Sequence, residues 1–283
     1  MHGFIRKLIT EHNQPVDYHL PLSDAQIHLN PLIGSKIRLS YTGNIECNHC
    51  GRATKKSFSQ GYCYPCFKKL AQCDLCMMSP ERCHYHLGTC REPDFGDRVC
   101  MQPHIVYLAN SSGLKVGITR PNQVPTRWID QGAVQALPLF EVSSRQMSGF
   151  VETMFKAHIS DKTHWQKMLK SEGIHVDLML AREQLLAEAK SGIDDLIEIH
   201  GETNIRLVER PDAVTIEYPV EQYPTKVKAL NFEKTSVIEG VLQGIKGQYL
   251  ILDIGVVNIR KFTSYEISFE SLESTPNQSG FAF

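Results

Sequence analysis

His104-Ile105-Val106-Tyr107-Leu108 reads as a strand, Asn110-Ser111-Ser112-Gly113 as a turn, and Leu114-Lys115-Val116-Gly117-Ile118 as the return strand of a hairpin. β-Branched and aromatic residues fill the arms, and Asn, Ser and Gly cluster between them, as hairpin chemistry requires. Downstream, Met147, Val151, Met154, Phe155 and Ile159 recur at helical spacing and predict one apolar helix face. A short helix is predicted over 163–171, with Asp161 as a candidate cap. A longer one is predicted over 178–199, rich in Leu, Ala, Glu and Lys, with Ser191-Gly192 as a point where it could break. Residues 104–204 thus read as an α/β core with trailing helices.

Upstream of the hairpin, all nine cysteines fall between Cys47 and Cys100. Cys47, Cys50, Cys63 and Cys66 follow C-x2-C-x12-C-x2-C. Two cysteines three positions apart on a tight turn grip one side of a tetrahedral ion, and a second such pair closes the shell. A structural Zn2+ is therefore expected on this quartet. Cys73 and Cys76 form another C-x2-C, for which Cys83 and Cys90 are the expected partners, with Cys100, His84 or His86 as substitutes. One or two zinc ions follow, each in a full shell that leaves no open position for water and so marks a structural role. Residues 47–103 hold too few apolar side chains for a core of their own, so metal must supply the folding energy. Between Gly51 and Gln72, Arg52, Lys55, Lys56, Lys68 and Lys69 carry positive charge with no acid among them, and Tyr62, Tyr64 and Phe67 interleave. That pattern suits phosphate contact with base stacking, and equally a solvated face that balances an anionic thiolate shell.

Both ends of the chain read as strands. Lys36-Ile37-Arg38-Leu39-Ser40-Tyr41 alternates polar and apolar, as a half-buried strand does. After Gly201, strands are predicted at Val214–Tyr218, Ile238–Ile245, Gln248–Asp253, Val257–Phe262 and Tyr265–Phe269, with Gly-containing turns between most of them. Short strands so spaced predict a small β-barrel, discontinuous in sequence, from residues 1–46 plus 205–283. The segment Thr275 to Gly280 reads as a disordered tail. The fold class expected is α+β.

Bulk properties narrow the function classes. The 283-residue chain is 42% hydrophobic with formal net charge −1, so any nucleic-acid surface is a local patch and not a global field. The longest apolar stretch, near Tyr249 to Val257, is interrupted by Asp253 and Gly255 and is too short to span a membrane. The N-terminus lacks a signal-peptide apolar region, and clustered cysteines suit metal binding in a reducing cytoplasm. No P-loop, no G-x-G-x-x-G and no H-E-x-x-H occurs.

Ile105-Val106-Tyr107 followed by Lys115-Val116-Gly117-Ile118 resembles the two-strand signature of the GIY-YIG nucleases. Arg127 and Glu152 follow in the order of that family's catalytic skeleton. The resemblance implies that Tyr107 activates or orients the attacking water, Arg127 steadies the scissile phosphate, and Glu152 holds one Mg2+ or Mn2+. The first Gly of the signature is Ile105 here, the second Tyr is Lys115, the C-terminal Asn has no match, and Gln131 stands where some members carry a His. Lys115 can still hold a phosphate as a point charge. Longer stretches, Gly88-Thr89-Cys90-Arg91-Glu92-Pro93, Arg127-Trp128-Ile129-Asp130-Gln131-Gly132-Ala133 and Gly244-Ile245-Lys246-Gly247-Gln248-Tyr249 among them, look like an uncharacterised, Cys-rich bacterial family of unknown function. DNA or RNA is the partner implied, for cleavage or for binding alone; a zinc-stabilised protein scaffold is the remaining reading.

Overall fold

The computed structural model describes residues 1–159 and 163–272. Asp161 and the segment 275–280, read above as a helix cap and a disordered tail, lie outside the described residues. The N-terminal part forms β1 (His2–Phe4), β2 (Ile9–Glu11), β3 (Asp17–Leu22), β4 (Ala25–His28) and β5 (Lys36–Ile45). The Cys-rich part holds only α1 (Tyr64–Lys69), α2 (Pro93–Phe95) and single turns of tighter or wider helix. The core follows as β6 (His104–Asn110), β7 (Leu114–Thr119), α3 (Thr126–Asp130), β8 (Gln135–Val142), α4 (Arg145–Phe155), α5 (Trp165–Met168) and α6 (Leu178–His200). The chain then runs through β9 (Ile205–Leu207), β10 (Val214–Thr215), β11 (Val237–Lys246), β12 (Tyr249–Leu252), β13 (Gly255–Asn258) and β14 (Tyr265–Leu272).

Three antiparallel sheets result among the described residues. The largest, in order β1-β14-β5-β11-β12-β13, is built from both ends of the chain: β5 pairs with β11 through Leu39↔Ile238 and with β14 through Leu39↔Phe269. It stays open among the described residues, which corrects the expected closed barrel. The stretch 257–262, expected as one strand, splits in two. After β13 the Asn258 side chain accepts from the Lys261 amide (3.2 Å), and Ile259–Phe262 winds into a 3-10 turn. β2, β3 and β4 form a separate small sheet.

The central sheet runs β10-β8-β6-β7, with β9 also on β8. Every residue of β6 is buried. Successive side chains point to opposite faces, so Ile105, Tyr107 and Ala109 join one apolar core, with the two other sheets and α3, while Val106 and Leu108 join a second, with α4 and α6. β6 is thus the divider between two cores, which is why its apolar run is nearly continuous.

Helix α4 begins at Ser144, whose hydroxyl accepts from the Met147 amide, and ends before Ile159. Asp177 caps α6 through the Leu180 amide (2.9 Å). α6 runs through Ser191-Gly192 unbroken, because its buried stripe of Leu178, Leu185, Ala189 and Ile193 continues across that point and tertiary burial outweighs the local propensity. Among the described residues, no helix is long and apolar enough to cross a membrane.

Candidate functional site

The β6–β7 register places Tyr107 opposite Gly117. A Cβ at residue 117 would lie 2.6 Å from the Tyr107 hydroxyl oxygen, so only glycine lets the ring lie across the hairpin. Trp128 of α3 meets the ring edge-on at 5.8 Å. The phenol donates to Gln131 Oε1 (3.1 Å), and the buried Lys115 ammonium donates to the same oxygen. Burial raises the phenol to about 12, against the pull of the neighbouring Arg127 guanidinium and with a further push from the Glu152 charge. Tyr107 is therefore protonated at neutral pH and a hydrogen-bond donor.

Residues separated by up to 45 positions in sequence thus converge: Tyr107, Lys115, Arg127, Gln131 and Glu152 share one neighbourhood. Arg127 reaches it because Trp128 and Ile129 bury the inner face of α3. Asp130, next on that helix, pairs instead with Lys7 (2.9 Å) and accepts from Gln248 (2.8 Å), so Arg127 faces Tyr107 without that carboxylate. Glu152 projects from α4 and pairs with Lys156 at 3.3 Å, one turn on.

Two further guanidiniums join, neither singled out from the sequence. Arg145 lies two turns before Glu152 on the same face of α4; its guanidinium donates to the Met77 carbonyl (2.8 Å), and burial and Arg127 both lower its pKa. Arg260, from the 3-10 turn before β14, donates to Gln60 Oε1 (2.8 Å) and is likewise lowered by burial and by Arg127. The seven-residue spacing of Arg145 and Glu152 was a usable signal; Arg260 had none, because the large sheet delivers it from the far end of the chain.

The first cysteine quartet is assembled. The four sulfurs of Cys47, Cys50, Cys63 and Cys66 lie within 4.8 Å of one another. Cys50 and Cys63 are 3.7 Å apart, close to the roughly 3.8 Å edge of a tetrahedral zinc–thiolate shell. The Gly51 amide donates to the Cys47 carbonyl (3.0 Å), closing the first knuckle turn. Burial works against a Cys47 thiolate, yet backbone amides at Cys63, Cys50 and His49 hold this thiol down at about 6, while burial and its neighbours push Cys66 up. Four thiols this close cannot all ionise without a cation, and a zinc ion fits the need. These residues could hold one.

The matching family model is that of the protein of unknown function DUF2797, over residues 34–267, most of the chain. The chain belongs to this family. No curated protein and no solved structure matches it.

In this DUF2797 chain the match starts just before β5 and spans the Cys-rich part, the converging residues and the large sheet up to β14. Of the second expected zinc set, Cys76, Cys83 and Cys90 line one small cavity with Cys100, where Asp74, Cys76 and His84 also bring ligand atoms within 4.8 Å of one another; Cys73 does not line it and lies near Ser59 and Cys47. Arg52, Lys55, Lys56, Lys68 and Lys69 are all exposed. Phe58 packs on Tyr64 (5.4 Å) and Phe67 (5.7 Å), and Lys56 lies over the Phe58 ring at 5.5 Å. Of the aromatics here, Tyr64 is the exposed one.

Proposed function

We propose that this chain is a zinc-stabilised nucleic-acid-processing protein whose converging residues bind a phosphodiester and, with a divalent metal, cleave it. One observation carries the reading: Arg127, beside Tyr107, stands within electrostatic reach of Arg145, which is near Glu152, and of Arg260, which is near Asp130, so three separate parts of the fold bring guanidiniums around one point. Clustered guanidiniums repel, and an oxyanion relieves them; the planar fork suits phosphate oxygens. The likeness of Tyr107, Gly117, Arg127 and Glu152 to the GIY-YIG skeleton supports the same chemistry.

In this reading Arg127 holds the scissile phosphate and Lys115 adds a point charge. Tyr107, protonated, orients through its hydrogen bond and does not remove a proton. Glu152 would supply a carboxylate to hold Mg2+ or Mn2+. A bound metal would supply a nucleophilic oxygen at neutral pH. The exposed cations of 52–69 extend the phosphate-contacting surface, and a reducing cytoplasm keeps the thiols free for zinc.

Binding without turnover is the second reading, and Gln131 favours it. An amide cannot accept the proton a catalytic imidazole would, and its oxygen already bonds Tyr107 and Lys115. The deciding experiment is cleavage of single-stranded, duplex and branched DNA and RNA with Mg2+ or Mn2+, wild type beside Glu152→Ala, with affinity measured against salt. Cutting lost in Glu152→Ala supports the enzyme. Salt-dependent binding without cutting supports the second reading. Absence of both sinks the proposal.

A further inference from the structure

The distal half of the Cys-rich part encloses a cavity of about 20 Å³ that the converging residues do not use. Cys76, Cys83, Cys90 and Cys100 all line it. That volume suits one water or one ion. A water needs two to four polar partners, and four thiols are poor ones. A soft divalent cation is the better occupant.

We propose that Cys76, Cys83, Cys90 and Cys100 bind a second structural zinc, and that Cys73, the near partner of Cys76 in sequence, is not a ligand. Cys73 does not line the cavity and lies on the side of the first quartet, near Ser59 and Cys47. Asp74 and His84 present ligand atoms within 4.8 Å of Cys76 and of each other, closer than the four cavity thiols are gathered, but both side chains are already engaged. The Asp74 carboxylate accepts from the Leu75 amide (2.6 Å) and pairs with Arg91 (2.7 Å), and His84 Nδ1 meets the Thr89 hydroxyl (2.8 Å).

An independent observation points the same way. Arg145 is a largely buried cation whose Nε has no partner among the described residues, and it faces Cys100 and Cys76. A buried N–H of a guanidinium beside neutral thiols is costly. Four zinc-bound thiolates carry a net charge of −2, which an adjacent guanidinium offsets. The ion would fasten the Cys-rich part to the core. Cys100 stands four residues before β6, the Gln146 amide donates to the Cys83 carbonyl (3.0 Å), and Gly149 of α4 lies so near Pro80-Glu81 that a Cβ would come within 2.5 Å of the Glu81 nitrogen. The second zinc thus clamps α4, the helix that carries Glu152, whether or not Glu152 is catalytic.

The test is zinc content by mass spectrometry of the full chain, purified without chelator, as wild type, Cys73→Ser and Cys100→Ser. Two zinc ions per chain are expected in wild type and in Cys73→Ser, and one in Cys100→Ser. A single zinc in wild type, or loss of one from Cys73→Ser, overturns the assignment, as does Cys100→Ser keeping both. Should Cys100→Ser fail to fold, iodoacetamide mapping of the zinc-loaded wild type decides. Cys73, Cys83 and Cys90 are all partly exposed. Cys73 should alkylate at once, and Cys83 and Cys90 only after chelator; the reverse order overturns the proposal.

Discussion

The first cysteine quartet comes from two knuckles twelve residues apart, whereas the second cavity draws cysteines spread from 76 to 100. The first is seated on the large sheet. A Cβ at Gly61 would meet Asn48 and Thr263, the Glu46 backbone amide donates to the Ser264 carbonyl (3.0 Å), and Gln60 Oε1 accepts from Arg260. The second is seated on the central core through Arg145, Gln146 and Gly149. The Cys-rich part is therefore a bridge, and each end anchors a different arginine of the candidate site. Local spacing suffices to build one end; the other is completed only by the fold around it.

Removing one ligand from each end is the strongest way to break that contrast. Structural zinc contributes on the order of 10 kcal/mol of apparent folding energy. Cys63→Ser should release the first ion and speed amide exchange in residues 259–264, while Cys100→Ser should do so in α4. Hydrogen exchange with mass readout separates them, and identical exchange patterns would merge the two ends into one unit.

A smaller effect is expected at the close contact between α4 and Pro80-Glu81. Gly149→Ala sets a Cβ against backbone, at a cost of roughly 1–3 kcal/mol in a denaturant melt. It should leave zinc at the first quartet untouched; loss of that ion would show the two ends coupled through α4.

The least effect should come from pH. Burial lowers the His104 imidazole, four residues beyond Cys100, from 6.5 to about 4. Between those values the unfolded chain takes up a proton that the native chain refuses, so stability falls as pH drops from about 6.5 to about 4 and this group changes nothing above that window. His104→Phe should flatten the slope measured by denaturant midpoint against pH. An unchanged slope would place the titration elsewhere.

Much of this was legible, for reasons particular residues make clear. The hairpin was readable because a turn cluster separates two apolar runs, and the first quartet because its ligands lie on two tight turns. The juxtaposition of Tyr107, Arg127 and Glu152 was reachable from the likeness of the hairpin and from helical spacing. Arg260 was not, since the 3-10 turn between β13 and β14 brings it from the far end of the chain. At Cys73 the spacing and the fold diverge: C-x2-C suggests a pair, while Cys76 lines the second cavity and Cys73 lies near Ser59 and Cys47. The expected barrel is an open sheet, and the strand expected over 257–262 stops at Asn258, whose side chain accepts from the Lys261 amide at the start of a 3-10 turn.

The pairing of β5 with β11 and β14 also sets a timetable. As the chain is synthesised, β5 emerges early and has no neighbour until the last strands follow. The hairpin β6–β7 and the first knuckles are complete long before that. Two rows of unpaired backbone amides and carbonyls on β5 must wait through the growth of nearly the whole molecule, exposed to any other strand they meet. Zinc captured early at Cys47 to Cys66, directly after β5, would hold that waiting strand beside a folded neighbour.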